Sequence, residues 1–175
     1  MHEDDIIDEE LQIADERATT LGSAILTKPI RALKLKLPLT LRRDASVREA
    51  VHLMVLNSIG CVLIVEDDRL LGIFSERDVL TKVVGKGIDL EGTSVEAVMT
   101  HEPETLTPES GISYALNKMS VGGFRHVPLV DERGRPVGIL GMRDVVDYIV
   151  ELFSGDILNL PPEPGLGITR SREGA

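Results

Sequence analysis

The chain has 175 residues, 42% hydrophobic and 27% charged, the balance of a folded globular protein. A net charge of −10 argues against a nucleic-acid backbone as partner, though not against one small anion held locally. Aromatic residues make up 3% and Trp is absent, so Ile, Leu and Val must build the core. Cys61 is the single cysteine, which rules out an intramolecular disulfide and a thiolate metal cluster; its apolar setting reads as a buried thiol acting as a small hydrophobe. No apolar run reaches membrane-spanning length, and Met1-His2-Glu3-Asp4-Asp5 is acidic where a signal peptide would be basic. The expected compartment is the cytoplasm.

Residues 3 to 16 carry eight Asp and Glu and no Lys or Arg, with a loose helical stripe of Ile6, Ile7, Leu11, Ile13 and Ala14. This predicts a helix, either solvated with one packed face or docking on a partner. Leu33-Lys34-Leu35-Lys36-Leu37 alternates like an edge strand whose lysines discourage further pairing. Pro38-Leu39-Thr40-Leu41 is a short strand or extended lead-in. Ser46 is a plausible N-cap for a helix with apolar face Val47, Ala50, Val51, Met54 and Val55, ending near Asn57-Ser58. Cys61 to Val65 reads as a strand buried on both faces. Asp67-Asp68-Arg69 is a hairpin turn, and Leu70 to Phe74 the return strand. Ser75 opens a second helix through Val84, stopped by Gly85 and Gly87. A short helix is expected from Thr93 to Met99.

The pattern then recurs. Ala50-Val51-His52-Leu53-Met54 returns as Ala115-Leu116-Asn117-Lys118-Met119, and Val62-Leu63-Ile64-Val65 as Val127-Pro128-Leu129-Val130. Gly72-Ile73-Phe74-Ser75-Glu76-Arg77-Asp78-Val79 returns as Gly138-Ile139-Leu140-Gly141-Met142-Arg143-Asp144-Val145. The second unit thus has a lead-in at Pro103 to Leu106, a helix from Ile112 to Met119, strands at His126 to Val130 and Val137 to Leu140, and a helix from Met142 to about Phe153. The tail, with Pro161, Pro162, Pro164, Gly165 and Gly167, is an extended arm. Two units of about 60 residues are each marginal alone and form one globule together.

Ser75-Glu76-Arg77-Asp78 at a strand-to-helix junction supports two readings. It is a capping box, Ser three residues before an acid ahead of an apolar run. The same atoms suit a ligand: helix-end N–H groups and the Ser75 hydroxyl and Arg77 guanidinium for phosphate, the Asp78 carboxylate for a ribose diol. Recurrence as Arg143-Asp144 favours a site, although Gly141 in place of Ser75 removes the hydroxyl. His126 after Arg125 is either a half-buried strand histidine or part of a phosphate-facing pair. No Gly-x-Ser-x-Gly elbow, Walker loop or metal-spaced His pair is present, so no catalytic residue and no metal ligand is assigned.

These residues resemble a tandem pair of CBS domains (the cystathionine beta-synthase domain), over roughly Thr27 to Val150. The carriers are the two Gly-Ile segments ending in Arg-Asp, Val98-Met99-Thr100, and Phe124-Arg125-His126-Val127-Pro128-Leu129-Val130-Asp131. The closing Asn159-Leu160-Pro161-Pro162-Glu163-Pro164 is similar to tails of small prokaryotic stand-alone members. The resemblance implies an α+β fold of two β-α-β-β-α repeats paired in pseudo-two-fold symmetry. The corresponding divisions are an acidic helical segment 1–26, a first repeat 27–85, a linker and second repeat 86–153, and an arm 154–175. It implies two related sites between the repeats: Ile73, Ser75, Arg77, Asp78, Thr100, Phe124 and His126 for the first; Ile59, Cys61, Arg125, Ile139, Arg143 and Asp144 for a weaker second, whose lead-in position opposite Thr100 falls near Leu35. The implied ligand is AMP, ADP or ATP, with S-adenosylmethionine a further possibility, and no cofactor is required. The implied role is a non-catalytic regulatory or energy-sensing module, a homodimer acting on a separate effector protein. The alternative is an assembly protein with vestigial sites, and the least favoured reading is an unrecognised enzyme.

Overall fold

A computed structural model describes residues 27–152. The acidic segment 1–26 and the arm 154–175 lie outside the described residues. The first unit runs β1 (Thr40–Arg42), α1 (Val47–Asn57), β2 (Cys61–Glu66), β3 (Arg69–Ser75) and a helical run α2 over residues 76–86. After a 3-10 turn at Val95–Ala97 comes β4 (Thr100–His101). The second unit has α3 (Ile112–Gly122), β5 (His126–Val130), β6 (Pro136–Gly141) and α4 (Met142–Leu152).

Local chemistry sets these boundaries. Ser46 and Glu49 form a reciprocal capping box at the start of α1, which ends on Ser58 in the left-handed region at φ 52°. Asp67 and Asp68, both at positive φ, make the tight turn between β2 and β3. Helix α2 changes pitch, from an α turn at Glu76–Asp78 through a π turn at Val79–Val83 to a 3-10 turn at Val84–Lys86. The expected stop at Gly85 is corrected: the helix passes through it and ends at Gly87, whose φ of 63° needs no side-chain concession. The helix expected from Thr93 to Met99 shrinks to the 3-10 turn, because Val98 leaves helical geometry and the chain extends into β4.

β1 lies parallel to β2, and β2 antiparallel to β3, which pairs with β4 through Ile73–Thr100 and Gly72–His101. The second sheet repeats this order, with Leu106 parallel to Leu129, β5 antiparallel to β6, and Lys36 antiparallel to Ile139. The expected edge strand at Leu33–Leu37 is therefore corrected to a 3-10 turn at Ile30–Ala32 followed by a single bridge at Lys36. Leu33 is buried and Leu35 half-buried, so these alternating leucines are packing residues rather than one face of a strand.

Each sheet is completed by the segment that precedes the other unit. Ile30 and Leu33 are buried with Leu106, Ile112, Met119, Val127, Leu129, Leu140 and Val145 of the second unit. Val95, Val98 and Met99 are buried with Val47, Met54, Val62, Ile64 and Phe74 of the first. Matching backbone bonds fix both straps: Val95 N donates to Ala45 O at 2.7 Å, and Ile30 N to Ser110 O at 2.9 Å. A third cluster of Cys61, Leu63 and Ile73, with Leu70 and Ile139 against it, joins the sheets.

Gly72 shows how tightly one strap is seated. A Cβ there would stand 2.5 Å from Met99 Sδ and 2.8 Å from the Thr100 carbonyl oxygen, whereas one at Gly138, its counterpart, would meet only Leu129 side-chain atoms, at 3.2 Å or more. Gly72→Ala is expected to destabilise the protein by about 1–3 kcal/mol in urea unfolding, and Gly138→Ala by clearly less.

Candidate functional site between the repeats

A cleft of about 410 Å³ opens where the end of β3 and the start of α2 face the other unit. Its lining comes from Ile73, Ser75 to Asp78, Thr100, Glu102 to Glu104, Gly122 to His126, and Gly60. All seven residues read from the sequence for the first site, Ile73, Ser75, Arg77, Asp78, Thr100, Phe124 and His126, are among them. The two units meet here because the straps carry Thr100 across to β3 while β5 brings His126 alongside.

Asp78 is the buried charged residue at the centre, 6% exposed. Its Oδ2 accepts from Ser75 N at 2.9 Å and Ser75 Oγ at 2.6 Å, the capping box anticipated from the sequence. Its Oδ1 accepts from Thr100 Oγ1 at 3.2 Å and pairs with Lys82 Nζ at 2.7 Å. Lys82 also donates to the Met99 carbonyl at 3.0 Å and to Thr100 Oγ1 at 3.1 Å. A buried carboxylate with four donors has its lost hydration well compensated. Sequence reasoning missed Lys82, although its place four residues after Asp78 on a helix was the available signal.

Arg77 Nη1 donates to the Gly123 carbonyl at 2.7 Å, tying α2 to the second unit across the cleft. Glu76, Glu102 and Glu104 line the cleft as well and were not anticipated. Glu104 pairs with Lys118 at 2.8 Å. Glu102 sits in the left-handed region at φ 44°, an uncommon conformation for a non-glycine residue and one that recurs at ligand clefts.

His126 stands between the starts of both helices. A Cβ on Gly60 would lie 2.8 Å from its Cε1, and one on Gly141 3.5 Å from its Cδ2. Burial, aided by the Arg125 charge, holds the ring's pKa below the ordinary histidine value, while the Glu76 and Asp144 charges oppose this. Burial, with the Glu76 and Asp78 charges, pushes the Cys61 thiol up to about 12, so it stays a protonated, buried small hydrophobe.

The residues read for the second site are distributed differently. Asp144 Oδ2 accepts from Gly141 N at 2.7 Å, the counterpart of the Asp78 cap without its hydroxyl. Arg143 is exposed, 3.7 Å from Asp147. Ile59 packs on the first core, while Cys61 and Ile139 belong to the cluster between the sheets. Arg125 lines the first cleft. The lead-in position is corrected: Thr100 pairs with Ile73, and the residue paired with the matching Ile139 is Lys36, not Leu35. A one-residue shift in the repeat spacing, invisible by counting, moves the leucine inward and the lysine onto the sheet. Among the described residues no cluster of His, Cys, Asp and Glu is built to hold a metal ion, and no helix is long and apolar enough to cross a membrane.

A histidine whose folded pKa is depressed binds fewer protons than the unfolded chain below about pH 6.5. Its contribution is fully present above that pH and declines as pH falls toward the folded value. The melting temperature is expected to drop between about pH 7 and pH 5, and His126→Asn to remove part of that slope in scanning calorimetry.

The CBS domain pattern matches residues 25–85 and 95–151. Among curated proteins the chain is 34% identical over 114 residues to the CBS domain-containing protein CBSCBSPB2 of Arabidopsis thaliana, covering 65% of this chain and 21% of that protein. It is 33% identical to the mitochondrial CBSX3 of the same plant, covering 61% of this chain and 54% of that protein. The chain thus spans about a fifth and about half of these relatives' lengths. Among solved structures, the CBS-domain protein ATU1752 of Agrobacterium tumefaciens superposes with a TM-score of 0.63 at 32% identity, over 69% of this chain and 98% of that one. PAE2072 of Pyrobaculum aerophilum, solved with AMP, superposes with a TM-score of 0.64 at 26% identity, over 72% and 98%. The CBS domain pair of protein MJ0100, in complex with 5′-methylthioadenosine and S-adenosyl-L-methionine, gives 0.63 at 26%, over 74% and 98%. Two matched repeats that cover most of the chain, and a fold shared with such pairs over nearly their whole length, make this chain a member of the CBS-domain family.

Proposed function

We propose that the protein is a non-catalytic regulatory module that binds an adenosine-bearing ligand in the cleft between its repeats and signals to a separate effector. The observation that carries this is Asp78, a buried carboxylate at a helix start inside a cleft walled by both units. A ligand gripping Asp78 from one unit and Phe124 and His126 from the other would bias how the units sit, which is the requirement for a sensor. AMP bound to PAE2072, and the adenosine derivatives bound to the MJ0100 pair, support this ligand class. The cytoplasm is the compartment proposed.

One observation favours the second reading, an assembly protein with vestigial sites. Ser75, Thr100 and Lys82 already satisfy the Asp78 carboxylate without any ligand. The two readings part on one variant. Under the first, Asp78→Ala lowers affinity for AMP or ATP roughly 10- to 150-fold in calorimetry, the loss of a hydrogen bond to a charged acceptor. Under the second, the variant loses stability and shows no change in affinity.

A homodimer is proposed on separate grounds. Leu80 and Val84 on α2 are 66% and 68% exposed, and Val55, Leu56, Val121 and Val146 on the other helices are also exposed. Such apolar helix faces favour a two-fold contact between copies. Light scattering is expected to find a dimer at micromolar concentration, and Leu80→Glu combined with Val84→Glu to give a monomer.

A further inference from the structure

Resting on the adenosine-ligand reading above, we propose that Lys82 is the positioning residue of this site. It acts from outside the cleft, through Asp78 and Thr100, and sets how firmly the cleft holds the ribose hydroxyls of its ligand.

The hydrogen bonds around Asp78 carry this. Oδ2 is taken up by the helix start, through Ser75 N and Ser75 Oγ. Contact with a ligand therefore falls to Oδ1. Two groups already reach that oxygen, and they come from different sides. Thr100 Oγ1, from a residue of the cleft lining, donates at 3.2 Å. Lys82 Nζ lies at 2.7 Å, and Lys82 is not part of the lining. A ligand hydroxyl arriving through the cleft displaces the longer bond, from Thr100, and leaves the lysine behind the carboxylate.

The ammonium has three donors and finds three acceptors. Besides Asp78 Oδ1 these are the Met99 carbonyl at 3.0 Å and Thr100 Oγ1 at 3.1 Å. Both belong to the strap, which is seated so closely on Gly72 that a Cβ there would lie 2.8 Å from the Thr100 carbonyl oxygen. Lys82 thus ties the carboxylate to a backbone with no room to shift. It also fills an acceptor site of the Thr100 hydroxyl, whose proton then points to Asp78. An acceptor held in place before the ligand arrives loses less freedom on binding, which raises affinity.

Two features separate this from a general support of the fold. Lys82 lies in the π turn Val79–Val83, a helix interruption of a kind that recurs at functional sites. The counterpart α4 is α-helical from Met142 to Leu152, and four residues after Asp144 stands Tyr148, under the ammonium of Lys28. Among the described residues Asp144 forms no ion pair. The second unit has the carboxylate without the lysine, so a helix of this fold does not need the pair.

Calorimetry with three probes tests the role: AMP, adenosine, which lacks the phosphate, and 2′,3′-dideoxy-AMP, which lacks the diol. Lys82→Met is expected to weaken AMP and adenosine alike, roughly 2- to 10-fold, and to leave 2′,3′-dideoxy-AMP unchanged. That unchanged binding also shows that the variant's cleft is folded. In an Asp78→Asn background, Lys82→Met is expected to cost AMP nothing further, because the lysine works through the carboxylate; this cycle decides independently of the dideoxy probe. A loss confined to the two phosphate-bearing probes makes Lys82 a phosphate contact and overturns the proposal. Equal losses on all three probes, no loss on any, or a further loss in the Asp78→Asn background also overturn it, and each leaves the adenosine reading intact. Failure of the wild-type protein to bind AMP or adenosine overturns both.

Discussion

Two backbone pairings, Ile73 with Thr100 and Ile139 with Lys36, hold the architecture together. Each brings in the segment that leads the other repeat, so neither unit has a complete sheet or a complete core from its own contiguous sequence. Ile30 and Leu33 fill the second core, and Val95, Val98 and Met99 fill the first. The exchange makes the halves thermodynamically dependent on each other, which answers the difficulty that units of about 60 residues have in burying enough surface alone. It also places a residue from a strap, Thr100, beside a carboxylate of the opposite helix, Asp78. The cleft exists because of that exchange rather than beside it.

The chemistry at Asp78 does not force a choice between cap and ligand. The Ser75 contacts stabilise the helix start, worth about 1 kcal/mol for a cap of this kind. Thr100 approaches the other carboxylate oxygen from the cleft and can be displaced by a better-placed hydroxyl. A group that is fully satisfied when empty avoids the cost of an unpaired buried charge, and a ligand must only match those bonds to compete.

Much of this was readable from the chain. The helix at Val47–Asn57 announced itself by Ser46 and its apolar spacing, and the buried strand at Cys61 by its unbroken run. The repeat of Arg77-Asp78 at Arg143-Asp144 marked both helix starts. The straps were not legible in the same way, because Leu33 to Leu37 satisfies a period of two for a reason unrelated to a strand: two leucines pack inward beside a 3-10 turn. The Lys36 register depended on a one-residue shift that no local propensity encodes. The acids of the cleft, Glu76, Glu102 and Glu104, come from two chain segments of ordinary surface composition and acquire meaning only when the fold gathers them.

The histidine between the helix starts also bears on how the two halves can diverge. Gly60 and Arg125 occupy matching positions, each accepting the first backbone bond of the helix beside it, from Glu76 and Met142. Any side chain at residue 60 would begin 2.8 Å from the His126 ring. While residue 126 is a histidine in this position, a counterpart to Arg125 in the first half forces the imidazole to move, so a return to identical halves starts against a steric cost. The imidazole acts as a steric latch on the inequality of the repeats: a side chain at position 60 requires residue 126 to shift or to change first.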